Sequence, residues 1–304
     1  MNTMEYAAVF MQELDSQMVE NSTSGWMEAN AGQVQYSGGA EVKIPKMQMS
    51  GLGDYDRENG FAKGSVSVAY ESKKMTQDRG RTFQVDAMDV DETNFAAAAG
   101  NVMGEFQRTK VIPEIDAYRY STIAALAQTA GKQKTYTPAV DTIWQKLLSD
   151  ITEVRDVVGD GVEIVITMSA KTAGLLDQAK GDSQLIQSGE FIQGGAHLKV
   201  KEIDQCAVIR VPSARLKTKY VFYDGVSEDE EAGGFEAAAD AKDINWIIAV
   251  RHAPIAVSKT DVTRIFDPMT NQNANAWKID YRKYHDLWIT DNGMDGILVS
   301  VNNA

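Results

Sequence analysis

The first twenty residues place Met4, Ala7, Met11, Leu14 and Met18 three and four positions apart, a single apolar stripe along a helix, and the small polar run Asn21 to Gly25 ends it. Such a stripe either folds back on the chain's own core or docks on another chain, where Met-rich helical faces adapt well. The period then changes to two. Val42 and Ile44 alternate with Glu41 and Lys43, and Val66, Val68 and Tyr70 alternate with Ser65, Ser67 and Ala69, around the turn-rich stretch Gly51 to Gly60. This predicts a long β-hairpin with a mobile tip. A lone two-stranded hairpin is marginal in water, so this one must lie on its own domain or on a neighbouring subunit.

Asp86, Asp89, Asp91 and Glu92 precede an Ala-rich segment. Their spacing lacks the central Gly and distal Glu of a calcium loop, whereas helix capping and the helix dipole account for acids at a helix start. Phe95, Ala99, Val102, Met103 and Phe106 then form an amphipathic face, Pro113 predicts a kink or restart, and Ile115, Tyr118, Thr122 and Leu126 carry the face onward. The result is one long helical element from Asp91 to Gln128. Past the loop Gly131 to Pro138 the elements alternate: a helix over Val140 to Val157, a strand over Glu163 to Met168, a helix over Ala170 to Lys180, two strands within Leu198 to Val211, and a strand over Lys219 to Tyr223. Ile244 to Val250 reads as a buried strand, Ala256 to Phe266 as an extended piece, Asn271 to Asn275 as a polar turn and Ile297 to Val301 as a closing strand. This alternation predicts a compact α/β unit with a mixed sheet.

Composition narrows what such a chain does. The 304 residues, 43% hydrophobic and 24% charged, fit an ordinary globular chain of one or two domains. A net charge of −13 argues against a protein whose main task is gripping phosphates. Eight acids against the single base Lys242 lie between Asp224 and Asp243, so this stretch supplies −7 of the total and reads as a solvated acidic lobe. The lone Cys206 rules out an intrachain disulfide and fits a reducing compartment. Met1 to Val19 carries no Lys or Arg, unlike a signal peptide, and the run Trp246 to Val250 is far below the roughly 18 residues of a membrane span.

The search for chemistry returns no catalytic, cofactor or metal residues. His197, His252 and His285 are scattered, Cys206 lies in an apolar strand, and Gly181-Asp182-Ser183 lacks the second Gly of a nucleophile elbow because Leu185 occupies its place. Gly38-Gly39 follows no strand-to-helix turn that would cradle a dinucleotide. Lys199, Lys201, Arg210, Arg215, Lys217 and Lys219 cluster without interleaved aromatics, which reads as a solvated strand face paired with the acidic lobe of this or a neighbouring chain. What remains is an arm, a hairpin and a long helix, all devices for touching neighbours.

At this point the order of elements resembles the major capsid proteins of tailed bacteriophages, the Hong Kong 97 fold family. Asp78 to Asp86, followed by Met88 to Asn94 and Glu105 to Asp116, resembles the stretch joining hairpin to spine helix in phages of Gram-positive bacteria. Val208 to Ser213 resembles that family's axial strand ending in Val-Pro, and Trp277 to Val301, with Tyr284-His285-Asp286-Leu287-Trp288, its C-terminal run. The resemblance implies an α+β chain with an N-arm (1–38), an extended hairpin loop (39–75), a peripheral domain carrying the spine helix (76–135 and 245–285), an α/β axial domain (136–244) and a C-terminal strand (286–304) of unassigned domain. It further implies a non-enzymatic major capsid protein in the virion, assembled in the host cytoplasm from hexamers and pentamers around double-stranded DNA, without a membrane. An encapsulin-like nanocompartment shell is the alternative. Some members carry an N-terminal scaffolding segment. Here the arm starts at once, so the implied partners are further copies of itself, a separate scaffolding protein, a portal protein and DNA held by enclosure. Some members also crosslink a loop Lys to a peripheral Asn; Lys46, Lys63 and Asn271 to Asn275 are of the right types, but no candidate for the necessary desolvated carboxylate is visible, and crosslinking is not expected.

Deleting Gly51 to Gly60 is expected to leave a folded subunit that no longer forms shells; normal particles in electron micrographs of that variant would remove the lapping role of the hairpin.

Overall fold

The computed structural model describes residues 22–38, 41–58, 60–86, 102–179, 186–193, 196–272 and 274–303. The apolar stripe of residues 1–20, the acids of 87–93 and the Gly181-Asp182-Ser183 stretch lie outside them. A 3-10 segment, Gly25–Gln33, leads into β1 (Gln35–Gly38), β2 (Glu41–Met49), β3 (Val66–Lys74) and β4 (Gln77–Asp86). Helical residues 102–106 and a π turn, Gln107–Val111, continue into α1 (Ile112–Thr129). Then come β5 (Gln133–Thr135), α2 (Ile143–Val158), β6 (Ile164–Ser169), α3 (Ala170–Gln178), β7 (Ile186–Gln193), β8 (Ala196–Ile203) and β9 (Cys206–Val211). The chain finishes with β10 (Tyr220–Tyr223), β11 (Gly234–Ala237), β12 (Ile244–Val250), β13 (Pro254–Phe266), β14 (Ala276–Ile289), α4 (Asp291–Met294) and β15 (Ile297–Val301).

The main core is a seven-stranded mixed sheet in the order β5-β15-β12-β6-β9-β8-β7. Every residue of β6 and β12 is buried, as their unbroken apolar runs require of strands covered on both faces. On this sheet α2 lays Ile143, Leu147, Ile151 and Val154, a stripe at three- and four-residue spacing, and α1 lays Tyr120, Ile123, Ala124 and Ala127. Each fully buried Leu or Ile contributes about 1.5–3 kcal/mol. The one acid of α2 on that face, Asp150, is fully buried and accepts from Lys146 Nζ at 2.6 Å and from Trp246 Nε1 at 3.2 Å. The class is α+β as expected.

A second, antiparallel sheet runs β13-β14-β4. Its inner face meets the first part of the long helix, where Met103, Val111 and Ile115 pack against Ile279 and Tyr281. Pro113 does not stop this helix. The π turn lies just upstream of it, where the ring would otherwise press on the Thr109 carbonyl, and the wider turn absorbs that conflict. The third sheet, β1-β2-β3, is the expected hairpin with a short strand added. Strand β12, which the resemblance puts at the start of the second peripheral stretch, pairs with β6 and β15 in the large sheet.

One local conflict is measurable. The two-residue turn Asp204-Gln205 between β8 and β9 holds both residues at positive φ (49° and 60°) with no glycine, and Arg155 clamps it through the Asp204 carboxylate and carbonyl. Gln205 is exposed, so Gln205→Gly is expected to raise stability by about 0.5–1 kcal/mol in urea unfolding, by removing the left-handed strain; a loss of stability would show that the turn is not strained.

Candidate functional site

The large sheet and the β13-β14-β4 sheet meet α1 at a buried polar junction. Asp116, fully buried, is the acceptor at its centre: Oδ1 takes hydrogen bonds from Ser22 Oγ (3.2 Å), Ser24 N (3.1 Å) and Ser24 Oγ (2.6 Å). Its Oδ2 accepts from Thr23 N (3.3 Å) and Thr23 Oγ1 (2.9 Å), and Arg215 Nη1 reaches it at 3.4 Å from the β9–β10 connection. One turn on, the buried Arg119 donates to the Ser24 carbonyl at 3.2 Å and pairs with Glu28. A buried carboxylate and a buried guanidinium thereby fasten residues 22–28 to the long helix, and Trp26 and Met27 enter the core between them.

Strand β14 supplies the other wall. Its alternate residues Ile279, Tyr281, Lys283 and His285 all point inward and are all buried, the first two against apolar helix residues and the last two against the charged ones. Lys283 Nζ donates to Asp261 at 2.6 Å and stands 4.0 Å from Glu28. Partial burial alone would raise the Glu28 carboxyl, but Arg119, Lys283 and a hydrogen bond from Ser258 outweigh it and hold it at about 2. Burial, with Arg119 and Lys283 adding their charge, keeps His285 well below the usual histidine range and therefore neutral. On the next residue, Asp286 accepts from Tyr118 Oη (2.6 Å) and Thr76 N (2.8 Å), and burial together with that acceptor pushes the Tyr118 phenol up to about 12.

The hairpin β2–β3 leaves the body from this junction. Cross-strand partners share a face, and the register sorts them cleanly. One face carries Val42 and Ile44 at its base, buried against Ile255, Val257 and Trp288, followed by Lys46 with Ala69 and Gln48 with Ser67. Lys46 on this face pairs with Asp291 of α4, so the face looks toward the chain's own body. The opposite face carries the pairs Pro45–Tyr70, Met47–Val68 and Met49–Val66, and each of these six apolar residues is exposed, Met49 and Val66 at 69%. At the tip Leu52 is fully exposed, and Tyr55 and Phe61 touch edge to face at 4.9 Å. A continuous apolar stripe of three cross-strand pairs in water marks a surface made to be covered.

The residues singled out in the sequence fall elsewhere. Lys217 and Lys219 pair with Asp243 and Asp240 of the acidic stretch, while Lys201 and Arg210 share Asp177 at 2.9 and 2.8 Å, so these bases are paired within the chain. Residues 224–231 of the same stretch form an exposed loop pinned by Arg79 on the Tyr223 and Gly234 carbonyls and by Arg81 on the Glu231 carbonyl. His197 is exposed beside Glu190, His252 is exposed, and burial pushes the Cys206 thiol up, leaving it in its unreactive protonated form. Lys63 is exposed near the hairpin tip, and Asn271 is buried in its turn, donating to the Ala276 carbonyl at 2.8 Å. Among the described residues no group of three or more His, Cys, Asp or Glu side chains could hold a metal, and no helix is long and apolar enough to cross a membrane. Two shallow clefts, one beside Trp144 and one between Lys46 and Asp291, gather no nucleophile with a base. The junction residues Asp116, Arg119, Glu28 and Lys283 carry no motif, and nothing in their spacing singles them out.

Neither a protein-family model nor a curated protein matches the sequence. Solved structures do match. The capsid structure of cyanophage P-SCSP1u superposes with a TM-score of 0.57 at 11% identity, covering 88% of this chain and 85% of that one. A structure from Gordonia phage Cozz gives 0.55 at 15% identity over 86% and 81%, and the mature capsid of bacteriophage PhiM1 gives 0.52 at 15% identity over 87% and 82%. The chain has the fold of these phage structures, in agreement with the resemblance read from its sequence.

Asp116→Ala removes the acceptor of six hydrogen bonds, three of them buried, and is expected to cost about 3 kcal/mol or more. In urea unfolding a change below about 0.5 kcal/mol, the size of an ordinary surface substitution, would show that the junction does not hold the fold.

Proposed function

We propose that this chain, whose fold is that of phage capsid structures, is the major capsid protein of a tailed phage: a Hong Kong 97-type subunit that assembles into an icosahedral shell around double-stranded DNA. The single observation that carries the proposal is the exposed apolar face of the hairpin, Pro45, Met47, Met49, Val66, Val68 and Tyr70, on an arm whose other face is tied to its own body at the base by Val42 and Ile44 and is polar beyond them. A free monomer gains nothing from such a face; a subunit lapping over its neighbour buries it.

In this reading residues 1–38 are the N-arm and 39–75 the extended loop, α1 with the β13-β14-β4 sheet is the peripheral domain, and the large sheet with α2 and α3 is the axial domain that meets its copies around closed symmetry axes. The net charge of −13 suits a container that holds DNA by confinement, because a wall with few cations displaces few condensed counterions from the phosphates and so does not adhere to them. Scaffolding and portal proteins are the partners that such a shell requires, and the proposed place of action is the virion after assembly in the host cytoplasm. DNase-resistant nucleic acid inside purified particles is the expected content. Particles filled with protein and free of nucleic acid would assign the chain to an encapsulin-like compartment instead.

A matched pair of variants tests the interface. Val68→Lys puts a charge on the apolar face and is expected to leave the subunit's circular dichroism and melting unchanged while reducing particle yield at least tenfold. Ser67→Lys, one residue away on the polar face, is expected to assemble as the unaltered chain does. Equal yields from the two would sink the proposed role of that face.

A further inference from the structure

We propose that His285 makes the attachment of residues 22–33 to the body sensitive to mild acid: a proton on its imidazole adds a third cation beside Arg119 and Lys283, and the clamp on Glu28 opens. The geometry is a cluster at the meeting point of three elements. His285 is 3% exposed, lies on the same inward face of β14 as Lys283, and stacks edge to face against Tyr118 at 5.5 Å. Its Nδ1 and the Nε of Arg119 are both buried and find no hydrogen-bond partner among the described residues, so a proton added there meets no waiting acceptor.

The charged and titratable groups around it come from every neighbouring element. Helix α1 presents Asp116, Tyr118 and Arg119, the 3-10 segment presents Glu28, β4 presents Arg79, β13 presents Asp261 and the exposed Lys259, and β14 itself presents Lys283 and Asp286. The acids among them are already engaged: Asp116 by Ser22, Thr23 and Ser24, Asp286 by Tyr118 and Thr76, Asp261 by Lys283, and Glu28 by Arg119. An imidazolium can therefore be accommodated only by drawing Glu28 from Arg119 or by leaving the site. Leaving separates β14 from the 3-10 segment, whose attachment beyond the Asp116 contacts of residues 22–24 rests on Glu28, on Asn30 bonding the Arg251 and Pro254 carbonyls, and on Trp26 and Met27.

The sign follows from linkage. The closed site keeps His285 neutral, while the opened site lets it titrate near its ordinary value of about 6.5, so closure is undisturbed above that pH and weakens below it. Glu28 stays ionised throughout this window, with its carboxyl held at about 2 in the closed site, so a response between pH 7.5 and 5.5 belongs to a histidine. One pH unit below the open-state value shifts the closure constant by about tenfold.

The test is hydrogen exchange followed by mass spectrometry on the full chain at pH 7.5 and 5.5, corrected for intrinsic exchange. Protection of residues 22–33 is expected to fall about tenfold in the unaltered chain, less than about twofold in His285→Gln, and about tenfold again in the double variant His197→Gln, His252→Gln. A flat response in the unaltered chain, or an equal fall in His285→Gln, overturns the proposal. Should His285→Gln fail to fold, the titration of the His285 C2 proton in the unaltered chain decides: titration with a midpoint at or above 6.5 while residues 22–33 remain protected overturns the proposal, and no titration until they open supports it.

Discussion

A carboxylate without water must receive all its hydrogen bonds from the protein, and Asp116 receives them from Ser22, Thr23, Ser24 and Arg215, three of which lie more than ninety positions upstream. This requirement fixes where residues 22–28 can lie, and their position in turn fixes Trp26, Met27 and the wall formed by β13 and β14. The long helix thus does two jobs with two stretches of one surface. Its first part offers Val111 and Ile115 to the small sheet, and its later part offers Ile123 and Ala127 to the large one, with the charged turn of Asp116 and Arg119 between. Removing a member of such a network costs more than forming it contributed, so the junction specifies one arrangement more than it stabilises any.

That division explains which parts of the fold were legible in the sequence. Strands β6, β12 and β15 were visible because both their faces are apolar, and β2 and β3 because their alternation survives exposure. Strand β14 alternates buried and open positions from Ile279 to His285, but Lys283 and His285 occupy two of the buried ones, and a reading that equates polar with outward loses the strand there. Strand β4 is hidden for a different reason: none of its residues is fully buried, and only Phe83 and Val85 mark an apolar face. Residues 21–25 read as a helix terminator by composition; three of them are the donors that satisfy Asp116, a role visible only once the chain returns to them. The basic cluster pairs with the acidic stretch only in part: Lys217 and Lys219 meet Asp243 and Asp240, whereas Lys201 and Arg210 share Asp177 and Arg215 reaches the buried Asp116.

The hairpin obeys the opposite constraint. Its inner face is tied down by Val42, Ile44 and Lys46, and its outer face leaves three apolar pairs in water. Within one chain this is uncompensated exposure; between chains it is the part of the surface with most to gain from burial. The acidity of the chain fits the same division of labour. Copies that all carry −13 repel over the Debye length, so association must be won locally by apolar contact, which favours few, specific interfaces over general adhesion.

Cryo-electron microscopy of particles assembled from the unaltered chain tests this account most directly. It predicts a closed shell of icosahedral symmetry in which Pro45, Met47, Met49, Val66, Val68 and Tyr70 of each copy are buried against another copy. A closed shell with that face left in solvent, or a chain that remains monomeric under every assembly condition, would contradict it.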